Sequence, residues 1–183
     1  LSYQFGPIRW VSIHRRHHRH SDTELDPHNS NKGFWYSYMG WLFNNKLIDV
    51  CPKCGQHVKD ISKDRYYRWL HKYYGLLQIP LAFFLYSLGG WSFVLWGIAL
   101  RIVYTLFLVG LVNSITHQRG YRRFNTVPGF NHTLVALLSF GEGYHNNHHE
   151  YPNSANLGLK GEFDISWYHI LLMSKLGLVS IKY

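Results

Sequence analysis

Polar and apolar positions divide the chain into three parts. Residues 1–75 hold 12 Lys/Arg and 6 Asp/Glu, residues 114–183 hold 6 and 4, and the 38 residues between, Leu76 to Asn113, hold one charge, Arg101. A hydrocarbon core about 30 Å thick is crossed by roughly 20 helical residues, so this insert has the length for two spans. Gly89-Gly90 stands where a turn is needed. The pattern predicts one helix from Tyr73 to Leu88, interrupted by Pro80, and a second from Trp91 to Asn113. Two crossings return the chain to the side it left, so both polar parts are expected on one face. Trp91, Tyr73 and Tyr74 fall where interfacial aromatic rings belong.

The polar parts read as helix and loop. Ile8 to His20 and Tyr144 to His149 can each be helical, the stretch Asp26-Pro-His-Asn-Ser-Asn-Lys-Gly33 is turn-rich, and residues 166–178 predict an amphipathic helix closed by Gly177. No strand pattern or repeat stands out. The expected fold is therefore an all-α integral membrane protein, one domain over 1–183: a cytosolic part (1–72), a transmembrane hairpin (73–113) and a second cytosolic part (114–183).

Composition narrows the choice. The chain has 13 His, 17% aromatic and 16% charged residues and a formal net charge of +9. No basic run of five, zinc-finger spacing or RNA-binding aromatic motif accompanies the charge, so nucleic acid is not the expected partner. Basic loops facing the cytoplasm explain it together with the aromatic excess. Cys51 and Cys54 are too few for a disulfide-stapled fold and imply a reducing compartment. With His57 they resemble half of a zinc knuckle, but the fourth ligand is not evident, and two free thiols in a loop are the favoured reading.

The histidines carry the chemistry. His14, His17 and His18 stand at i, i+3 and i+4, one face of a helix, and His145, His148 and His149 repeat that spacing beyond the hairpin. Chance at this composition yields about 0.06 HxxHH matches, so two are not accidental. Asn113 and His117, again i and i+4, lie at the end of the second apolar helix. Imidazole suits iron, zinc, copper or nickel. Zinc lacks redox chemistry, whereas a histidine-rich site beside an apolar interior suits oxidation of a lipid chain, which demands iron, dioxygen and delivered electrons. Asp26, Glu142 and Asp164 are candidates for orienting imidazoles from behind, or else ordinary caps and surface charges.

These stretches resemble the membrane-bound fatty-acyl desaturases of the first-double-bond, Δ9-like type. The matching residues are Trp10-Val-Ser-Ile-His14-Arg-Arg-His17-His18, Asp26-Pro-His-Asn, Gly33-Phe-Trp-Tyr-Ser-Tyr-Met-Gly-Trp41-Leu, Asn113-Ser-Ile-Thr-His117, Gly141-Glu-Gly-Tyr-His145-Asn-Asn-His148-His149 and Glu162-Phe-Asp164. The resemblance implies a four-span helical protein whose cytosolic cap holds two irons. Their ligands would include His14, His17, His18, His117, His145, His148 and His149, with Asn113 acting through water. It also implies that Trp10 lines the bend of the acyl tunnel, a plain packing role being the alternative, and makes Trp41 a candidate wall of the same tunnel. The family's HxxxxH box does not occur before His14, and the chain opens with Leu1. It is therefore expected to be the C-terminal portion of such a protein, without two ligands and the first two spans, binding iron substoichiometrically and inactive by itself.

The implied reaction is oxygen-dependent insertion of a cis double bond into a saturated acyl chain carried on a lipid, acyl-carrier protein or coenzyme A. Electrons would come from ferredoxin or cytochrome b5 docking on the basic cytosolic face. Ser12, Ile13 and Asn45-Lys46 replace groups that contact coenzyme A in animal enzymes, which weakens the case for that carrier and gives the chain a bacterial or cyanobacterial look. A histidine-box hydroxylase or ketolase, or an inactive metal-binding membrane fragment, are the alternatives; the NSxxH and HNNHH motifs favour desaturation.

Overall fold

A computed structural model of the chain describes residues 4–44 and 58–181. Cys51, Cys54, His57 and the Asn45-Lys46 pair lie outside them. Regular structure among the described residues is helical, apart from two isolated β-bridges, Tyr121 with Asn131 and Asn131 with Tyr144. The described residues form two compact units, one of 4–29, 39–44 and 58–107, the other of 30–38 and 108–181.

In the first unit, helix α1 (Pro7–His20) opens with a proline, whose fixed φ suits a first turn and whose missing N–H costs nothing there. It closes on His17, His18, Arg19 and His20, a basic last turn that suits the negative end of the helix dipole. Asp22 then turns the chain with φ +60 while its N–H donates to Asp26 Oδ2 at 2.8 Å. Beyond α2 (Phe34–Tyr38), which belongs to the second unit, come the short α3 (Lys59–Ser62) and α4 (Arg65–Tyr73). Asp64 caps α4 by accepting from the N–H groups of Tyr66 and Tyr67. Helix α4 packs on α1 so closely that a Cβ on Gly6 would fall 2.3 Å from His71 Nδ1. Arg15 clamps Asp60 with two hydrogen bonds of 2.8 and 2.7 Å.

The apolar insert is α5 (Gln78–Val94), a π-wound stretch (Leu95–Leu100) and α6 (Arg101–Gln118). The helix breaks at the two glycines: Gly89 has φ −163, ψ 26 and Gly90 φ 62, ψ −154, the latter a region that essentially only glycine enters. The chain doubles back there. Leu85 packs on Gly97, Trp91 meets Tyr86 with ring centroids 5.2 Å apart, and Arg101 donates to Gln78 Oε1 at 2.9 Å. The first arm starts at Gln78 rather than Tyr73, because residues 74–77 form a turn. Pro80 thus sits in a first turn, where it initiates the helix instead of interrupting it. The second arm runs on to Gln118, which carries Asn113 and His117 on the same helix.

Most of the large apolar side chains of the arms point outward. Phe83, Trp91 and Trp96 are 74%, 70% and 70% exposed, and Phe84, Leu88, Leu95 and Val103 are also exposed. A core helix of a soluble protein would bury these. Water does not tolerate an apolar surface of this extent, and association with a membrane accounts for it.

The second unit packs α2 against α6, with Gly110 leaving room for the Tyr38 ring. It continues with α7 (Thr133–Leu138), α8 (His145–Glu150) and α9 (Ile165–Lys175). Helix α9 ends as the sequence predicts: Gly177 has φ +71, its N–H reaches Ser174 O and the Leu178 N–H reaches Met173 O. It is less amphipathic than expected, since its outward face shows Tyr168, Leu172, Met173 and Leu176.

Candidate metal centre

Three imidazoles meet in the second unit. His117 comes from the last turn of α6, and His145 and His149 stand one turn apart on α8. All three are buried. His145 Nε2 lies 2.9 Å from His117 Nε2 and 3.1 Å from His149 Nε2. One ring nitrogen carries at most one proton, so His145 Nε2 cannot make a linear hydrogen bond in both directions. Nitrogens each about 2.1 Å from a common ion lie roughly 3 Å apart, so the spacing fits a metal better than a hydrogen-bonded trio. Asn113 lies one turn before His117 on α6 and is buried; His148 is half-buried on α8.

Helix α8 is six residues long and would not hold its shape alone. Its two buried asparagines hold it. Asn146 Oδ1 accepts from the N–H groups of Arg123 and Phe124, both at 2.9 Å, while its Nδ2 donates to Phe124 O and Gly129 O. Asn147 donates to Leu157 O at 2.7 Å and to Glu162 Oε2 at 2.8 Å, and accepts from Asn131 Nδ2 at 2.8 Å. Glu162 also accepts from Tyr121 Oη, Arg123 Nε (3.0 Å) and the Leu159 N–H (2.8 Å). Burial works against its carboxylate, but the hydrogen bonds from Tyr121, Leu159, Asn147 and Arg123 outweigh it and hold the pKa below the ordinary value. Gly129, at φ +80, lies against the imidazole edges; a Cβ there would be 3.4 Å from Cδ2 of His145 and of His149.

In the first unit, His14 and His18 stand one turn apart on α1 with Nε2 atoms 3.1 Å apart. His17 faces inward, 1% exposed, with Nδ1 2.9 Å from Asp26 Oδ2. A carboxylate at Nδ1 fixes the proton there and leaves Nε2 as the ligating lone pair; Ser21 Oγ lies 3.3 Å from that Nε2. Asp26 is fully buried and also takes the N–H groups of Asp22 and His28. The His28 ring lies 4.1 Å from that of His17, and ligand atoms of His17, Asp26 and His28 fall within 4.8 Å of one another.

Trp10 stacks on His14 with ring centroids 4.9 Å apart, and Trp41 is buried with its ring 5.3 Å from that of His28. Asp164 caps α9 through the Trp167 N–H at 3.1 Å and accepts from the Leu157 N–H at 2.9 Å. Glu142 is exposed in the turn before α8. The sequence assigned no role of their own to His28, Gly129, Asn131, Asn146, Asn147 and Glu162. A signal existed for Asn146 and Asn147, which lie between the histidines of a box and stay invisible only while the box is read for its ligands.

A family model described as fatty acid desaturase matches residues 1–175. The chain is 47% identical over 183 residues to an sn-1 stearoyl-lipid 9-desaturase of Anabaena variabilis, covering 98% of this chain and 66% of that protein. It is 43% identical over 183 residues to an sn-2 palmitoyl-lipid 9-desaturase of Nostoc sp. (strain 36), covering 97% and 64%. It is 42% identical over 184 residues to an acyl-CoA C20 Delta5-desaturase of Anemone leveillei, covering 97% and 57%. The chain thus spans less than two thirds of the length of these relatives.

Proposed function

Since the chain belongs to the fatty acid desaturase family, we propose that the protein containing it inserts a cis double bond into a saturated fatty-acyl chain at a histidine-held di-iron centre. The observation that carries this reading is the buried convergence of His117, His145 and His149, whose Nε2 atoms are spaced as ligands of one ion. The chemistry that bound iron supplies is activation of dioxygen for removal of hydrogen from an unactivated methylene. His14, His17 and His18 in the first unit, and His117, His145, His148 and His149 in the second, are the proposed ligands, with Asn113 acting through water. Asp26 keeps the His17 proton on Nδ1. Trp10 and Trp41 are proposed as walls for the acyl chain, apolar surfaces that exclude water from its methylenes.

In this reading the hairpin makes two membrane spans, and the Lys/Arg excess of the flanks supports a cytoplasmic position for the histidines. The acyl carrier proposed is a membrane glycerolipid. The lipid desaturases among the relatives support it, as do Ser12 and Ile13 where coenzyme A contacts would stand. Ferredoxin or cytochrome b5, both acidic, would deliver electrons to the basic face. The test is gas chromatography of fatty acids from a host that lacks this desaturation and expresses the protein containing this chain. A new monounsaturated acid supports the proposal; a hydroxylated product assigns the hydroxylase alternative; an unchanged profile with the protein present refutes it.

A further inference from the structure

Helix α4 presents two unlike faces. At 100° per residue, Arg65, Arg68 and Lys72 form one row, while Tyr66, Trp69, Leu70, Tyr73 and Tyr74 occupy the arc beside it. The three cations are exposed, and so are Tyr66, Tyr67 and Trp69, the last being 49% exposed. A row of cations alone is an ordinary solvated face. Exposed Tyr and Trp rings directly beside it are not, because water gains nothing from them, whereas the glycerol and headgroup level of a bilayer takes both classes of side chain. Trp69 and Tyr73 reinforce each other with ring centroids 5.8 Å apart, and Lys72 Nζ lies 5.1 Å from the Tyr73 centroid, a cation held next to the aromatic arc.

Position and charge point the same way. Helix α4 ends at Tyr73, and after one turn the apolar arm begins at Gln78, so the helix stands at the entry to the membrane insert. Its neighbour Asp60 is already neutralised by Arg15 and does not offset the row. The opposite side of the helix is occupied: the backbone of Gly6 at the start of α1 packs on His71.

We propose that α4 is an interfacial lipid site: Arg65, Arg68 and Lys72 bind the phosphates of anionic membrane lipids while Tyr66 and Trp69 sit among their glycerol groups. Because α4 is clamped to α1 through Gly6 and His71, lipid held there also fixes the height of the helix that bears His14, His17 and His18.

The test places the full chain in bilayer nanodiscs of phosphatidylcholine and phosphatidylglycerol, with brominated acyl chains on one lipid or the other at matched fractions. Quenching of Trp69 fluorescence by the brominated chains is read as the difference between wild type and Trp69→Phe. It is expected to be stronger with brominated phosphatidylglycerol, with the preference falling about fivefold for each cation replaced in the series Arg65→Gln, Arg68→Gln and Lys72→Gln. The charge-conserving variant Arg65→Lys/Arg68→Lys should keep the preference, and added salt should weaken it. Equal quenching by the two lipids overturns the proposal. So does a triple glutamine variant that keeps its lipid preference but loses affinity for an acidic electron carrier, a result that assigns the row to a protein partner.

Discussion

Arg101, the one charge of the apolar insert, donates to Gln78 Oε1 across 2.9 Å although 23 residues separate them. In an unbroken helix they would stand about 34 Å apart, so this bond shows that the arms run antiparallel. Arg101 Nε also donates to Gly97 O at 2.8 Å, which leaves the guanidinium well supplied with acceptors inside an apolar segment. Gln78→Ala should lower stability by about 1 kcal/mol. Gly90→Ala, which forces a side chain into a region beyond its ordinary range, should cost about 1–3 kcal/mol. Thermal unfolding in one detergent, followed by size-exclusion fluorescence, measures both.

Asp26→Asn should weaken metal binding by roughly 10–100-fold while leaving α1 folded. The amide presents either an N–H or a weaker acceptor to His17 Nδ1, and the imidazole loses the partner that fixes its tautomer. Titration with cobalt, read by its visible absorption, reports affinity without requiring turnover.

Acid should loosen the second unit through Glu162. Its pKa is depressed in the fold, so its stabilising contribution is complete above the ordinary carboxylate range, about 4.3, and is lost as pH falls through that range and below. Glu162→Gln should cost about 2 kcal/mol at neutral pH and flatten the acid limb of a melting-temperature profile. Tyr121 has the opposite sign: burial first, then its bond to Glu162, push the phenol up to about 12. The neutral phenol is favoured in the fold, so that contribution is complete below about 10 and is lost as pH rises towards the folded value. The Tyr121→Phe variant should lack this alkaline limb.

Gly129→Ala tests the packing around the imidazoles. A side chain at φ +80 costs about 1–2 kcal/mol, and its Cβ would press on His145 and His149 from 3.4 Å. Metal affinity should fall together with stability, which the same cobalt titration and thermal unfolding measure.

The hairpin and the boxes were legible because both are local. Charge disappears between Leu76 and Asn113 except at Arg101, two adjacent glycines mark the break, and i, i+3, i+4 spacing puts imidazoles on one helix face without knowledge of the rest. The clamp on α8 was not, because its partners lie far apart in sequence: Asn147 meets Glu162 15 residues on, and Arg123 meets Glu162 across 39. Nothing in either residue's neighbourhood announces the pairing. Helix α4 was also passed over, since Tyr and Trp are weak helix formers; the Asp64 cap and the three-four spacing of Arg65, Arg68 and Lys72 were the available signals.

On the proposed function, His117, His145 and His149 hold iron. Iron per chain, by plasma mass spectrometry on the protein containing this chain purified with and without His145→Ala, addresses it most directly. His145 joins both of the others, so the variant should lose at least tenfold in retained iron while keeping the helical circular dichroism of the wild type. Equal iron in the two proteins, with folding intact, would mean that these three histidines do not hold it.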